Sequence, residues 1–393
     1  MLTQEENERL TQVGPGTPMG ELLRRYWQPV ATVPDLDRES VLATRVLGEN
    51  LVLYKAKNGS MGLVEQRCPH RGVSLAYGMA DAEGIRCPYH GWYFNSEGRC
   101  IEQPYDDMED PGNTFKDKVT IKSYPVQVLG GLVWAYFGPA PAPVLPRFEV
   151  FAMEDVHRTI DITNLPCNWL QCMDNSLDPS HVDWLHAEYL AYHALREGRQ
   201  PQMRRAKHTK MAFDVFEYGI YKRRVLEGDD ESSADWVIGH PMIFPNSNCD
   251  PGTFQVRVPI DDTNTMHYLI RTKPVGGGEE PSLEVKDFPW ATPEGKIRID
   301  GVFPTDYMAW ITQGPVAPRP LEHLGRTDRG IILYRQLLND SIAKVQRGED
   351  PHGIIRDPAM NEQMIHIRTE NDMGGARRAY QTPPAQPVTV PAS

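Results

Sequence analysis

The sequence has few cysteines for its length, no excess of positive charge and no long apolar run. Six cysteines in 393 residues do not make a disulfide scaffold, and Cys100, Cys167, Cys172 and Cys249 are most simply read as reduced thiols in a cytoplasmic protein. Lys and Arg number 41 against 53 Asp and Glu, a formal charge of −12, which argues against nucleic acid or an anionic membrane surface as partner. No apolar stretch is long enough to span a bilayer, and the opening MLTQEENERL is polar, with no signal-peptide core behind it. With 40% apolar and 24% charged residues the composition is that of an ordinary globular protein, long enough for two domains.

What is present is concentrated between Cys68 and His90. Cys68 and His70 are separated by one residue, Cys87 and His90 by two, and Gly72 and Gly91 follow the two pairs. Each pair reads as a tight loop presenting one thiolate and one imidazole. Two of each suit either a tetrahedral zinc or a [2Fe–2S] cluster with histidine on one iron. Zinc fingers usually group two cysteines at one end and two histidines at the other. Here two parallel loops can place both sulfurs on one iron and both rings on the other. That arrangement resembles a Rieske domain, with Cys68, His70, Cys87 and His90 as cluster ligands.

Around this stretch the sequence predicts a small antiparallel β domain. Glu21–Trp27 reads as a short amphipathic helix, and Val41–Ala56 as two strands split at Glu49-Asn50. Lys57-Asn58-Gly59 is a hairpin turn before Met61–Val64. An aromatic strand over Gly91–Phe94 and strands over Val119–Tyr124 and Val126–Phe137 follow. The proline-rich Pro139–Pro146 reads as a linker. Beyond it, Asn168–Tyr192 is helical, interrupted at Asp178-Pro179. Strands are expected over Met211–Leu226, Trp236–Phe244, Thr253–Ile260 and Thr265–Thr272, with helices over Arg335–Gln346 and Pro358–Glu370. The tail Thr382–Ser393 is Pro- and Ala-rich. The expected class is α+β: a small all-β domain and a larger domain whose antiparallel sheet is covered by helices. The expected division is residues 1–25 as an N-terminal segment, 26–146, 147–380, and 381–393 as a tail.

The second loaded stretch is Asn168–His186. His181 and His186 are five residues apart, about 500° on an ideal α-helix, so their rings point roughly 140° apart. They can share a metal only through a π-bulge or a helix end. Asp178 before Pro179 is expected to start a helix. Trp169 and Trp184 read as core residues.

The cluster stretch followed by Asn175, Asp178, His181 and His186 resembles the catalytic subunit of Rieske non-haem iron oxygenases, over roughly residues 15–370. The nearest branch is similar to phthalate dioxygenase and the aromatic O-demethylases, including Thr312-Gln313-Gly314-Pro315 and Glu322-His323-Leu324. The resemblance implies Fe(II) held by His181, His186 and a carboxylate followed four residues later by Trp, which makes Asp306 (before Trp310) the third ligand. It implies that Asp178 bridges to a cluster histidine of a neighbouring subunit, that Asn175 lies near the iron, and that the chains form a head-to-tail ring, expected to be a trimer. The resemblance also implies that electrons come from an NAD(P)H-dependent flavin or iron–sulfur reductase. The expected reaction is oxygenation of an aromatic compound, first an aromatic carboxylate dihydroxylated like phthalate, with removal of a methyl group from an aryl ether, or diaryl ether cleavage, as the alternative. An electron carrier without chemistry and a zinc-stabilised structural protein are the competing classes, and the length beyond Pro146 speaks against the first. For substrate contacts the candidates are Arg204, Arg205, Lys207, Lys222, Arg223, Arg224, His240 and Asn246.

Overall fold

A computed structural model describes residues 2–201, 206–250 and 252–373. Arg204, Arg205 and the tail from Thr382 lie outside these.

Turn chemistry shapes the first part of the chain. Val41–Val46 and Glu49–Lys55 form a hairpin with Val41 opposite Tyr54. Its corner, Leu47-Gly48, has both residues at positive φ, the geometry of tight hairpins. Met61–Glu65 and the short Ser123–Tyr124 strand complete a four-stranded antiparallel sheet. The expected Val119–Tyr124 strand is therefore reduced to its last two residues. Val126–Leu129 and Leu132–Tyr136 pair across Gly130-Gly131, and Trp27–Thr32 adds to their other edge. A second four-stranded sheet runs Met79–Ala80, Gly84–Arg86, Tyr93–Asn95 and Cys100–Glu102.

The expected Glu21–Trp27 helix lies instead at Pro18–Leu23. Thr17 caps it by accepting from the Gly20 N–H, with Pro18 at the first helical position. Trp27 opens a strand, its indole donating to the Pro143 carbonyl at 2.9 Å.

Beyond Pro146 an eight-stranded sheet dominates. Its order is His208–Phe216, Gly219–Leu226, His240–Ile243, Ser247–Asp250, Thr253–Asp261, Asn264–Pro274, Val156–Leu165, Ser282–Asp287. All neighbours are antiparallel except the last pair, which is parallel, so the sheet is mixed. Met211–Leu226 is a hairpin rather than one strand, and Trp236–Phe244 begins as a helical turn over Ala234–Val237.

At the centre of this sheet both faces are buried, and they differ in chemistry. On the central strand Phe254, Val256 and Val258 point one way and Gln255 and Arg257 the other, every one under 6% exposed. The apolar face stacks on Phe148 and Phe151, which in turn meets Trp134. The polar face is covered by the helices Trp169–Ser176 and Val302–Ile311, reached by contacts from Arg257 to Ser176 and from His267 to Tyr307.

The Arg329–Gln346 helix buries Ile331, Tyr334, Leu338, Ile342 and Val345, a single stripe at helical spacing. The expected Pro358–Glu370 helix is only a turn, Pro358–Asn361. The rest is extended because its backbone bonds to the segment after Leu145: the Ile365 N–H donates to the Arg147 carbonyl, and the Ile365 carbonyl accepts from the Glu149 N–H.

Candidate cluster site and metal centre

The two cluster loops are built alike. Gly72 N–H donates to the Cys68 carbonyl and Gly91 N–H to the Cys87 carbonyl, at 2.8 and 3.1 Å. Cys68 N–H then bonds Val73 and Cys87 N–H bonds Trp92. Both glycines sit at φ +75°, a conformation that glycine adopts at no steric cost. Cys68 and Cys87 are each 2% exposed, whereas His70 is exposed and His90 half-buried. The sulfurs thus face inward and the rings outward. The His70 and His90 rings are 4.5 Å apart, and His70 stacks on Trp92. Burial beside Cys87 and Cys100 pushes the Cys68 thiol up to about 12. The buried Nδ1 of His90 has no partner among the described residues. Two buried thiols and an orphaned imidazole nitrogen fit a cluster with two sulfur and two nitrogen ligands.

The second centre meets across the interior. Trp184–Tyr189 is a π-helix, which supplies the wider turn that a five-residue histidine spacing needs. The His181 and His186 rings come within 5.0 Å, nearly perpendicular. Asp306, on the Val302–Ile311 helix, places Oδ1 3.1 Å from His186 Nε2 and 3.7 Å from His181 Nε2. All three ligand atoms lie within 4.8 Å of one another. Both Nδ1 atoms are engaged elsewhere. Thr305 donates its hydroxyl to Gly301 and Val302, so its oxygen accepts from His186 Nδ1 at 3.2 Å. His181 Nδ1 donates to the Asp178 carbonyl. Each ring therefore keeps Nε2 as its free lone pair, aimed at the point Asp306 faces, as a metal site requires.

Electrostatics favour the deprotonated forms of Asp306 and His181. Burial raises the Asp306 carboxyl, but His186, His181 and Arg257 outweigh it and hold it below the usual carboxylate range. Burial, helped by His186 and opposed by Asp306, lowers His181. Asn175 Nδ2 donates to Asp306 Oδ1 at 3.3 Å, which puts Asn175 beside the centre.

Asp178 differs in detail from the expectation. Its Oδ1 accepts the N–H of Ser180 at 2.8 Å and the Ser180 hydroxyl at 2.5 Å, while the helix begins only at His181. The His181 ring bonds the backbone carbonyl of Asp178, and the nearest carboxylate oxygen lies 3.8 Å away.

The three groups line a cavity of about 740 Å³ whose floor is the polar face of the large sheet. Lys222, Arg224 and His240 line it, as the sequence allowed. Arg223 points away, to Asp214 and the carbonyls of Trp236 and Val237. Asn246 is buried elsewhere, donating to Gln28 and the Arg257 carbonyl. Trp169 is core, but Trp184 is 71% exposed. Sequence reasoning missed Gln255 and Arg257, which alternate with Phe254, Val256 and Val258 as any half-exposed strand does. Among the described residues no helix is long and apolar enough to cross a membrane.

Comparison with known proteins agrees with this architecture. Residues 26–125 match the family model described as Rieske [2Fe-2S] domain, and residues 165–286 that of the vanillate O-demethylase oxygenase C-terminal domain. The chain is 44% identical over 367 residues to the 5,5'-dehydrodivanillate O-demethylase oxygenase subunit of Sphingobium sp., covering 92% of this chain and 85% of that one. It is 33% identical over 390 residues to phenoxybenzoate dioxygenase subunit alpha of Ectopseudomonas oleovorans, covering 92% and 90%. Among solved structures NdmA of Pseudomonas putida CBB5 shares the fold, with TM-score 0.62 at 20% identity over 83% of this chain and 93% of that one. Two cysteine–histidine loops, a buried histidine pair facing one carboxylate, and full-length similarity at this level converge: the chain belongs to the Rieske non-haem iron oxygenases, as a terminal oxygenase component with a Rieske [2Fe–2S] cluster and a mononuclear iron.

Proposed function

We propose that this oxygenase acts on an aromatic carboxylate bearing a methoxy group and releases the methyl carbon as formaldehyde. Lys222 carries the reading. It lines the cavity, and its ammonium has no hydrogen-bond or ion-pair partner among the described residues. Burial, with Arg224 and Arg257 nearby, brings its ammonium down to about 8, against a partial pull from Asp250. An unpaired cation on a cavity wall suits an anionic substrate group. Both relatives named above act on aromatic carboxylates by name, and the more similar one is an O-demethylase.

In this reading Cys68 and Cys87 hold one cluster iron and His70 and His90 the other, within residues 26–146. His181, His186 and Asp306 hold the mononuclear iron, within residues 147–380. The iron supplies the activation of O2. The balance is Ar–OCH3 + O2 + 2e⁻ + 2H⁺ → Ar–OH + HCHO + H2O, the electrons coming from an NAD(P)H-dependent reductase. The protein's part is to hold the carboxylate at Lys222 and to orient both histidines with Nε2 toward Asp306.

The same reading includes a head-to-tail trimer in which His90 of one chain meets Asp178 of the next. Large apolar side chains stand exposed around the cluster loops (Tyr77, Met79, Tyr89) and on the iron segment (Trp184, Tyr192, Leu195). Two such patches on opposite functional ends suit a heterologous contact. Light scattering on wild type and Trp184→Asp tests it: loss of the oligomer in the variant supports the contact, and a monomeric wild type removes it.

Anaerobic reduction followed by O2 and a panel of aromatic acids, with products identified by mass, tests the chemistry. Formaldehyde with the matching phenol supports demethylation. A cis-diol from a phthalate-like acid replaces it with dihydroxylation. No oxygen uptake with any aromatic acid removes the carboxylate reading.

A further inference from the structure

We propose that Gln255 is a specificity-determining residue of the iron cavity, its side-chain amide locked as a hydrogen-bond donor that selects a substrate with an acceptor oxygen on the ring. The inference rests on the aromatic-carboxylate reading above.

Gln255 is 5% exposed and lines the cavity from the central strand. Its Oε1 lies 2.8 Å from Arg257 Nη2 and 3.1 Å from His267 Nε2. A guanidinium only donates, so the amide atom facing it is the oxygen. An amide oxygen only accepts, so His267 Nε2 carries the hydrogen and His267 Nδ1 accepts the Tyr307 hydroxyl, 2.9 Å away. The chain of donors runs from Tyr307 to His267 to Gln255, met by Arg257 from the other side. Both lone pairs of Oε1 are thereby used. Turning the amide over would set its NH2 against two donors.

The NH2 group is left with no partner among the described residues, at the wall of the cavity. A ligand that offers it no acceptor leaves a nearly buried donor unpaired. A site built this way discriminates by about tenfold to a hundredfold per missing hydrogen bond.

The position serves the reaction. Arg257, two residues along, bonds Ser176, the neighbour of Asn175, which donates to Asp306. Lys222 stands three strands away in sheet order, about 14 Å laterally at about 4.8 Å per strand. A carboxylate at Lys222 and a ring oxygen at Gln255 therefore mark opposite ends of one bound molecule. His267 does not itself line the cavity and acts through Gln255, as a positioning residue.

The test is anaerobic calorimetric binding to the full-length protein, loaded with cluster and iron, of two acids of matched shape. Vanillate carries two ring oxygens; 3-ethyl-4-methylbenzoate replaces both with carbon. Wild type is expected to prefer vanillate by at least about tenfold. Gln255→Glu keeps the acceptor for Arg257 and His267 but lacks the NH2, and its preference should fall about tenfold. His267→Phe frees the amide and should weaken the preference with iron content and cluster absorbance unchanged, a change that a merely structural role does not produce. Equal affinities in wild type, or an unaltered preference in Gln255→Glu, overturn the proposal while leaving the carboxylate reading intact. If wild type binds neither acid, the carboxylate reading fails and this inference fails with it.

Discussion

The Nε2 atom of His186 lies 3.1 Å from Oδ1 of Asp306, two residues that only the folded chain brings together. Thr305, the neighbour of Asp306, accepts from the other nitrogen of the same ring. One helix thus supplies both the facing carboxylate and the group that fixes the tautomer of its partner. Asp306→Asn preserves the shape and removes the charge. We expect iron content to fall at least about tenfold while the visible absorbance of the cluster persists. Metal analysis beside the absorbance spectrum checks this, and retention of stoichiometric iron rejects Asp306 as a ligand.

Asp178→Asn separates electron supply from iron binding. Its Oδ1 accepts from Ser180 N–H and hydroxyl, a role an amide oxygen can keep, so the local turn survives. The second oxygen becomes an NH2 and can no longer accept from an imidazole N–H. Cluster absorbance and iron content are expected to persist while steady-state turnover collapses by about a hundredfold or more. Rapid reoxidation of the reduced cluster by O2 and substrate in this variant, at the wild-type rate, counts against the bridging role.

Lys222 gives the reaction a pH signature. Burial lowers its ammonium to about 8, with Arg224 and Arg257 assisting and Asp250 and Asp178 opposing; His240 and Asp235 share the same wall. The side chain is cationic below that value and neutral above it. The KM for aromatic carboxylates should rise about tenfold per pH unit above about 8, with a smaller change in kcat. Lys222→Met should raise KM at pH 7 and abolish this alkaline limb. A limb that survives in the variant assigns the titration to another group.

The cluster loops were legible from sequence because ligand type and glycine placement are local. So was the demand for a non-α backbone between His181 and His186, met by the π-helix at Trp184–Tyr189. The cavity floor was not legible. Alternation in Phe254-Gln255-Val256-Arg257-Val258 gives the period of the strand but not which face meets solvent, and here neither does. Trp184 misled in the opposite sense: a tryptophan expected in the core stands 71% exposed. The Pro358–Glu370 segment has helical composition, yet its backbone bonds are made to the chain after Leu145. Propensity carries no information about such distant partners.

Asp174 holds the helix that carries Asn175 and leads into Asp178. Its carboxylate accepts from Arg319 at 2.9 and 3.1 Å and from Arg335 at 2.8 and 3.2 Å. The two arginine side chains are 1% and 7% exposed. Arg319 also bonds Asn7 of the N-terminal helix, and Arg335 bonds Glu322, so one carboxylate ties four segments together. Asp174→Asn leaves Arg319 without an anionic partner in the interior, whereas Arg335 keeps Glu322. Removing one member of a buried charge network costs about 3–5 kcal/mol. The urea midpoint should drop accordingly with the slope unchanged, measured by circular dichroism on the loaded protein. Arg335→Met should be milder than Asp174→Asn, because Asp174 keeps Arg319 and the removed charge takes its own desolvation cost with it. A loss below about 1 kcal/mol for Asp174→Asn would show that the network is solvated and that the helix is held by its apolar side, Trp169, Leu170 and Met173, instead.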